Sequence, residues 1–580
     1  MGSGIFSLGT SALIANQAMM DTTSHNIANV NTPGYSRQQV ILGTQDGMYT
    51  GAGFYGRGVK VQTITRTTNE FLVKEANLYT AQNSQDQTRL GKLNQLQDVL
   101  ATGENGLGYS ANQFLNAFAD VVSQPQDTSA RQVVLSRAQE FVNRLNTAAN
   151  QIVELQTGVV SDVGVTVNSI NKLTSQIASV NDAIARYQGS GHTPNDLLDQ
   201  REQLVKQLNE QVQVSTVQAE DGSLNVFMTS GQLLVLGSNT EKLAAVRDPS
   251  DSTKIRVALE TNGTNRILDD DKFTGGALSG LLKFQDNDLQ GIRTQLNYFS
   301  QSVGDAVNAQ QQLGYNKSDP TQVPPVLFLN TNDAGAIKLN ISNPFDLAIA
   351  SPLTSSTPTT NSGTAAVTSL TMVSAYATSG SSVSMPVKVV FDSQNADGSL
   401  NYHFTDLNGN PYKPTSTSRV WNSPSDTTTR TISDVDPTDP TTTPALFNIA
   451  ITGVPKPGDV IDITETDFPD ANNGNGMAML NLRDGNIASI DGGTTLSTVT
   501  NTYSQMIGNL GVMVQDGETS ANISSTLKTN AESTLASTSG VNLDEEAARL
   551  IQYQQAYQAS AKVLQIAQSL FDTLLQTARG

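Results

Sequence analysis

The chain has 580 residues, 53 acidic and 34 basic, a formal charge of −19 and no cysteine. That length exceeds one ordinary core and predicts several domains. Missing thiols exclude disulfide frameworks, thiolate zinc sites and cysteine nucleophiles, and an acidic chain with no Lys/Arg cluster interleaved with aromatics argues against nucleic acid and anionic membranes as partners.

The first charged residue is Asp21 and the first basic one Arg37, so the cationic start of a secretory signal is absent. Ser3, Gly9, Thr10, Ser11, Asn16 and Gln17 interrupt residues 1 to 20 too often for a membrane span. The expectation is a soluble protein, cytosolic or exported by a route that uses another kind of signal. Ile5, Leu8, Ala12, Ala15 and Met19 form an apolar seam at helical spacing, which stops at Asn26-Ile27-Ala28-Asn29-Val30-Asn31. Thr32-Pro33-Gly34-Tyr35 follows, and Pro at the second turn position with Gly at the third specifies a type II turn.

From Thr67 to about Val217 the spacing predicts long helices. Phe141, Leu145, Ala148, Ile152, Leu155 and Val159 alternate steps of four and three, as do Ile170, Leu173, Ile177, Val180 and Ile184. A shorter helix is expected after His192, with Thr193 as cap, Pro194 at its first position and Leu197, Arg201, Leu204 and Leu208 on one face. On that helix Asp199, Arg201 and Glu202 read as surface pairing and not as an acid/base pair. Between about Gln218 and Phe273 the period falls to two, a small β insert. Helical spacing returns from Leu278 to Gln310 and ends at Leu313-Gly314.

Residues 350 to 385 are rich in Ser and Thr, which suits short strands or exposed turns. Val387 to Phe391, the turn Asp397-Gly398, and Leu400 to Phe404 predict a hairpin. Phe447 to Ile451 and Val460 to Ile463 predict two further strands. Helices resume at Val499 and again at about 520 to 538. The last one opens with Asn542 as cap and Glu545 reaching back to its amide. Its seam, Leu543, Ala547, Leu550, Gln554, Tyr557, Ala561, Leu564, Gln568, Phe571 and Leu575, needs a partner: the other chain end or another copy. The whole predicts an α+β, elongated, multidomain protein. Coiled-coil-like terminal and inner domains come from both chain ends, with a mostly β outer domain inserted. The divisions are 1–66 with 540–580, 67–315 with 493–539, and 316–492.

Asn26-Ile27-Ala28-Asn29 followed by Thr32-Pro33-Gly34-Tyr35-Ser36-Arg37 resembles the N-terminal signature of the bacterial flagellar axial proteins of rod and hook. Gly540 to Ala548 and Tyr553 to Lys562 are similar to that superfamily's other end. Asn195 to Arg201, Gly275 to Leu282, Asn308-Ala309-Gln310, Gly458-Asp459 and Asn475 to Ala478 narrow the likeness to the hook-associated junction branch, with Gly476 departing from its pattern. The resemblance implies a subunit packed helically with its own copies and bound to hook protein below and hook-associated protein 3 above. It also implies type III flagellar export, a chaperone on the C-terminal helix before export, and nucleation of the filament. On that basis Asn26, Asn29 and Asn31 are expected to cap the first helix and fix the turn. Tyr35 and Arg37 are expected to meet a neighbouring subunit, and Gln554, Tyr557 and Gln568 are read either as imperfect core positions or as polar residues that set register in the assembly. Ile27, Pro33, Gly34, Leu543, Leu550, Leu564, Phe571 and Leu575 complete the expected assembly set.

The three histidines lack paired ligand spacing, Asp269-Asp270-Asp271 lacks the spacing of a calcium loop, and no hydrolase, Walker or zinc-protease motif occurs. No metal, cofactor or enzymatic activity is expected. The alternatives are another axial subunit, hook-like or flagellin-like, and a secreted adhesin or hydrolase with its activity in residues 316 to 492.

Overall fold

The computed structural model of the protein describes residues 2–50, 53–100, 102–187, 193–261, 263–376, 385–406, 408–411, 419–421, 430–435 and 446–579. His192 of the expected helix start and residues 377–384 of the Ser/Thr-rich stretch lie outside them. The elements begin with α1 (Gly2–Ala28), β1 (Gln38–Thr44), β2 (Met48–Thr50), β3 (Gly53–Tyr55), β4 (Val59–Arg66), α2 (Glu70–Val99), α3 (Leu107–Asn116), α4 (Phe118–Ser123), α5 (Thr128–Tyr187) and α6 (Asn195–Gln211). Short strands follow: β5 (Val214–Gln218), β6 (Leu224–Met228), β7 (Leu233–Leu236), β8 (Asn239–Thr240), β9 (Lys242–Arg247), β10 (Ile255–Thr261) and β11 (Thr264–Ile267), then α7 (Gly276–Lys283) and α8 (Gln290–Gln312). Next come β12 (Phe328–Leu329), β13 (Lys338–Leu339), β14 (Leu353–Ser356), β15 (Ala366–Met372), β16 (Val387–Gln394), β17 (Leu400–Thr405), β18 (Arg419–Trp421), β19 (Arg430–Val435), β20 (Phe447–Thr452) and β21 (Val460–Glu465). The chain ends in α9 (Gly474–Asn481), α10 (Val499–Ser539) and α11 (Leu543–Arg579), so the fold is α+β.

Three expected boundaries move. Strand pairing takes Val214 to Gln218 out of the long helices, because Val214 to Gln218 pair with Met228 to Leu224. The helix expected to start on Pro194 starts at Asn195 with no side-chain cap, and the Pro194 carbonyl instead accepts the amides of Leu197 and Leu198. The two late helices merge into the single α10, since no Gly or Pro breaks the turn near residue 520 in a way a helix cannot absorb.

The chain divides into two compact units. The first comprises Met1–Gln95, Leu155–Asp288 and Met513–Gly580. Here Val159, Val163, Ile170, Leu173, Ile177, Val180 and Ile184 are buried on α5, the face its four-three spacing predicts. Two antiparallel sheets, β5 to β8 and β9 to β11, make the small insert. Gln285, fully buried in a π-helical turn, accepts from the Ile255 amide at 3.0 Å and donates to the Ile255 carbonyl at 3.1 Å, so a polar group in an apolar series is satisfied by a strand backbone.

In the same unit Asp248 accepts from the Ser250 hydroxyl at 2.6 Å, the Ser250 amide at 2.7 Å and Arg256 at 2.6 Å. These bonds, the Ser250 hydroxyl foremost and Arg256 next, hold its carboxyl well below the usual carboxylate range. A carboxyl depressed in the folded state contributes stability that is complete above its unfolded value of about 4 and is lost as pH falls toward the folded one. Asp248→Asn is therefore expected to lower stability at neutral pH and to shrink the loss between neutral and acid pH. Denaturation midpoints of both chains across that range check it.

The second unit comprises Leu96–Glu154 and Leu289–Val512. Its helical part is packed around aromatic rings: Phe114 lies 5.7 Å from Phe118 and from Phe328, and Phe141 lies 6.5 Å from Phe299. Its β part is a sandwich. One sheet runs β14-β21-β16-β17-β18 and the other β15-β20-β19. Alternate residues Val387, Val389 and Phe391, Leu400, Tyr402 and Phe404, Phe447, Ile449 and Ile451, and Ile461 and Ile463 share one buried core. The expected hairpin is β16 and β17. The Ser/Thr-rich stretch supplies β14 and β15, whose hydroxyls suit strands half open to water. Gly476 has a local reason: a Cβ there would lie 3.0 Å from Ile349, whose carbonyl takes the Gly476 amide at 2.8 Å.

Candidate functional site

The first unit brings the two chain ends together. Helix α1 packs along α11 in antiparallel sense, with Asn26 beside Glu546, Asn16 donating to Ser560 at 3.2 Å, and Phe6 edge-on to Phe571 at 6.1 Å. The buried stripe of α1 is small and polar: Gly9, Ala15, Asn16, Thr22, Thr23 and Asn26. Gly9 sits so close to Leu564 that a Cβ would stand 2.7 Å from its Cγ. On α11 the covered stripe is Glu546, Leu550, Tyr553, Tyr557, Ser560, Leu564 and Ala567. It shares Leu550, Tyr557 and Leu564 with the expected seam. Its remaining members each stand one residue earlier than expected, so Gln554 and Gln568 face outward.

Two stripes at four-three spacing that share every second member are both consistent with the sequence. Burial of Glu546 decides between them. Its side chain, 2 % exposed, accepts from Arg37 Nε at 2.8 Å and from Asn26 Nδ2 at 2.9 Å. The Asn26 amide is fully used. Its Nδ2 also donates to the Gln38 carbonyl at 2.9 Å, while its Oδ1 accepts the Gln38 amide at 2.9 Å and the Tyr35 hydroxyl at 2.7 Å. The Tyr35 oxygen lies 3.0 Å from His25 Nδ1. Burial first, then the negative charges of Asp196, Asp199 and Glu546, push the Tyr35 hydroxyl well above its usual range, so it stays a donor.

The segment after the turn is threaded among three helices. The Ser36 amide donates to Asp199 on α6 at 3.0 Å, the Arg37 amide to the Ser539 carbonyl closing α10 at 2.9 Å, and the Gln38 amide to Asn26 on α1. Asp199 also accepts from Arg66 at 3.0 Å, and Glu202 does so at 2.5 Å. Burial opposes the Arg66 charge, but bonds to Glu202 and Asp199 outweigh it and raise its pKa. Asp199 and Arg201 are buried, which corrects the surface pairing expected for them. Helix α6 is covered on two sides: Asp199 faces the N-terminal segment, and Arg201 donates to Asn181 at 3.2 Å and to the Gly222 carbonyl at 2.8 Å. Burial pushes the Arg201 guanidinium down to about 10, with Arg66 adding to the effect.

The expected turn forms, with the Tyr35 amide bonded to the Thr32 carbonyl and Gly34 at φ +79°. Asn29 does hold the helix end, its Nδ2 on the His25 carbonyl at 3.0 Å and its Oδ1 taking the Thr32 hydroxyl at 3.1 Å. Asn26 does not cap. It lies inside the last turn and points across to β1 and α11, because the helix runs on to Ala28. Tyr35 and Arg37 find partners within the chain. Ile27 is half-buried, while Asn31, Pro33 and Gly34 are exposed. Asn542 caps α11, accepting the amides of Asp544 at 3.0 Å and Glu545 at 3.4 Å, but Glu545 turns to Arg549 instead of closing a box. Leu543, Phe571 and Leu575 keep 42 to 49 % of their surface exposed, and Leu8, Ile14, Ile551, Val563, Ile566 and Leu570 are further large apolar side chains left exposed around the paired helices. Glu546, Gln38, Asp199 and Arg66 were missed by sequence reasoning. The available signals were a third acid at the start of α11, at stripe spacing from Leu550 and Tyr553, and the charged Arg201 on an apolar helix face. Among the described residues no group of three His, Asp or Glu is placed to hold a metal, and no helix is long and apolar enough to cross a membrane.

The two paired ends each match a family description, "Flagella basal body rod protein" over residues 6–35 and "Flagellar basal body rod FlgEFG protein C-terminal" over 532–577. Ends of that kind, joined in one unit, define the class as a flagellar axial structural protein. "Flagellar hook-associated protein FlgK helical domain" matches residues 93–323. Flagellar hook-associated protein 1 of Salmonella typhimurium is 30% identical and that of Escherichia coli 28%, each over 99% of both chains. The flagellar hook junction protein of Burkholderia pseudomallei shares the fold, with a TM-score of 0.66, 22% identity, and coverage of 80% of this chain and 100% of that one. The chain belongs to the flagellar hook-associated protein 1 family. It is thus a structural component of the flagellar hook-filament junction, and a likeness that spans the central β region disfavours an adhesin or hydrolase with borrowed ends.

Proposed function

We propose that the protein joins hook to filament through hook-associated protein 3 and nucleates filament assembly, its copies packing on one another as a helical ring. The observation that carries this is the number of large apolar side chains left exposed on the paired terminal helices, among them Ile14 at 62 %, Ile551 at 57 % and Leu570 at 53 % exposure. Apolar exposure of that extent on an acidic chain calls for a protein partner. Leu543, Phe571, Leu575, Gln554 and Gln568 then meet neighbouring copies, and the polar pair sets their register. In this reading residues 1–66 with 540–580 line the inner tube, 67–315 with 493–539 form the next layer, and 316–492 face outward. Export follows the flagellar type III route, with a chaperone covering the C-terminal helix beforehand. The role is mechanical, and neither catalysis nor a cofactor enters it. Deleting the gene is expected to leave hooks without filaments and to release flagellin unpolymerised; normal filaments in that strain would refute the proposal.

A further inference from the structure

The contact between α1 and α11 sets small and polar groups of α1 against a mixed stripe of α11 that also holds Leu550, Tyr553 and Tyr557. Gly9, Ala15, Asn16 and Thr22 on one side face a stripe with Ser560, Leu564 and Ala567 on the other. A slide of one helical turn, about 5.4 Å, in one direction puts Tyr553 in the place of Tyr557, Ala556 in that of Ser560 and Ser560 in that of Leu564, so these slots would still be filled. What does not repeat is the socket at the end of the pair. Its two donors are fixed without help from α11: Arg37 by its amide on the Ser539 carbonyl and its own carbonyl on the Thr67 amide, Asn26 by both bonds to the Gln38 backbone.

We propose that Glu546 is the positioning residue that sets the register of the two chain ends, and thereby decides which apolar side chains they present together. Moving α11 by one turn would bring Arg549 or Leu550 to the socket in one direction and Asn542 or Leu543 in the other. A cation repels Arg37, and Leu leaves a charged donor unpaired. Asn542 lies outside the helix as its cap. A carboxylate reaches both donors only from position 546. This inference stands on the fold and does not depend on the junction role.

The cysteine-free chain makes register measurable. Asn16→Cys with Ser560→Cys reports the observed register, because those side chains touch at 3.2 Å. Asn16→Cys with Ala556→Cys or with Leu564→Cys reports a slide of one turn either way. In the full-length chain with Glu546 intact, the 16–560 pair is expected to oxidise at least tenfold faster than either slid pair. Glu546→Ala is expected to bring the three rates within about threefold of one another, and Glu546→Asp, which keeps the charge, to restore most of the preference. An unchanged preference in Glu546→Ala overturns the proposal and leaves the short connection at residues 540 to 542 as the register device. Equal loss of all three crosslinks overturns it too, since Glu546 would then only stabilise. So would a Glu546→Asp chain that behaves as Glu546→Ala does.

Discussion

Asn26→Asp is expected to release the two chain ends from each other, with loss of amide protection over residues 26–38 and 543–550. The substitution keeps the shape of the side chain and exchanges a donor for an acceptor. Asn26 is 1 % exposed and uses both ends of its amide. With Asp, the bonds from Tyr35 and from the Gln38 amide survive. The Gln38 carbonyl and a Glu546 oxygen, each 2.9 Å away, would instead face a carboxylate oxygen that cannot donate, with like charge against Glu546. A buried acceptor stripped of its donor costs about 1–3 kcal/mol, and breaking into a buried ion pair costs about 3–5 kcal/mol. A loss of about 3–5 kcal/mol at the latch is therefore expected. Asn26→Ala, which removes the bonds without adding charge, is expected to cost about 2–3 kcal/mol by the same reasoning. Hydrogen exchange read by mass spectrometry separates the two, and equal protection in wild type and Asn26→Asp would contradict the assignment of Asn26 as the hub.

Gly276→Ala is expected to destabilise the first unit by about 2–5 kcal/mol. Gly276 has φ +79° and opens α7, and a Cβ placed on it would stand 2.5 Å from the Gln211 carbonyl group and the Val212 Cα. Backbone atoms at the end of α6 cannot rotate aside as a side chain can. The left-handed conformation costs an L residue about 1–2 kcal/mol, and overpacking adds about 1–3 kcal/mol. Gly231→Ala separates the two terms, because Gly231 has φ +84° but nothing within 4 Å of the added carbon. It is expected to lose only the conformational part. Urea midpoints for the two variants, compared with wild type, check both values, and equal losses would remove the steric argument.

Much of the fold was legible where the deciding contacts are local. The α5 seam follows from a period of 3.6, the β16–β17 hairpin from alternation around Asp397-Gly398, the bend at Thr32 to Tyr35 from Pro and Gly chemistry, and the α11 start from Asn542. The site was legible in part. The motif residues Asn26, Tyr35 and Arg37 do gather at one place, but the partner that Asn26 and Arg37 share is Glu546, more than 500 positions away. Asp199 and Arg201 were misread because a charged helix face looks the same in sequence whether water or another segment covers it.

By itself the sequence determined the helical ends, the β region between them, the abrupt turn after the first helix and the family likeness, all of which rest on residue type and short-range spacing. Tertiary structure decided the rest. Strands β20 and β21, consecutive in the chain, enter different sheets, because each completes the pairing of an earlier strand and not of the other. The covered stripe of α11 keeps Leu550, Tyr557 and Leu564 of the one that apolar spacing favours but takes Glu546, Tyr553, Ser560 and Ala567 as its other members. A side chain's burial depends on what meets it, and a carboxylate held by two fixed donors outweighs the choice between one small residue and its neighbour.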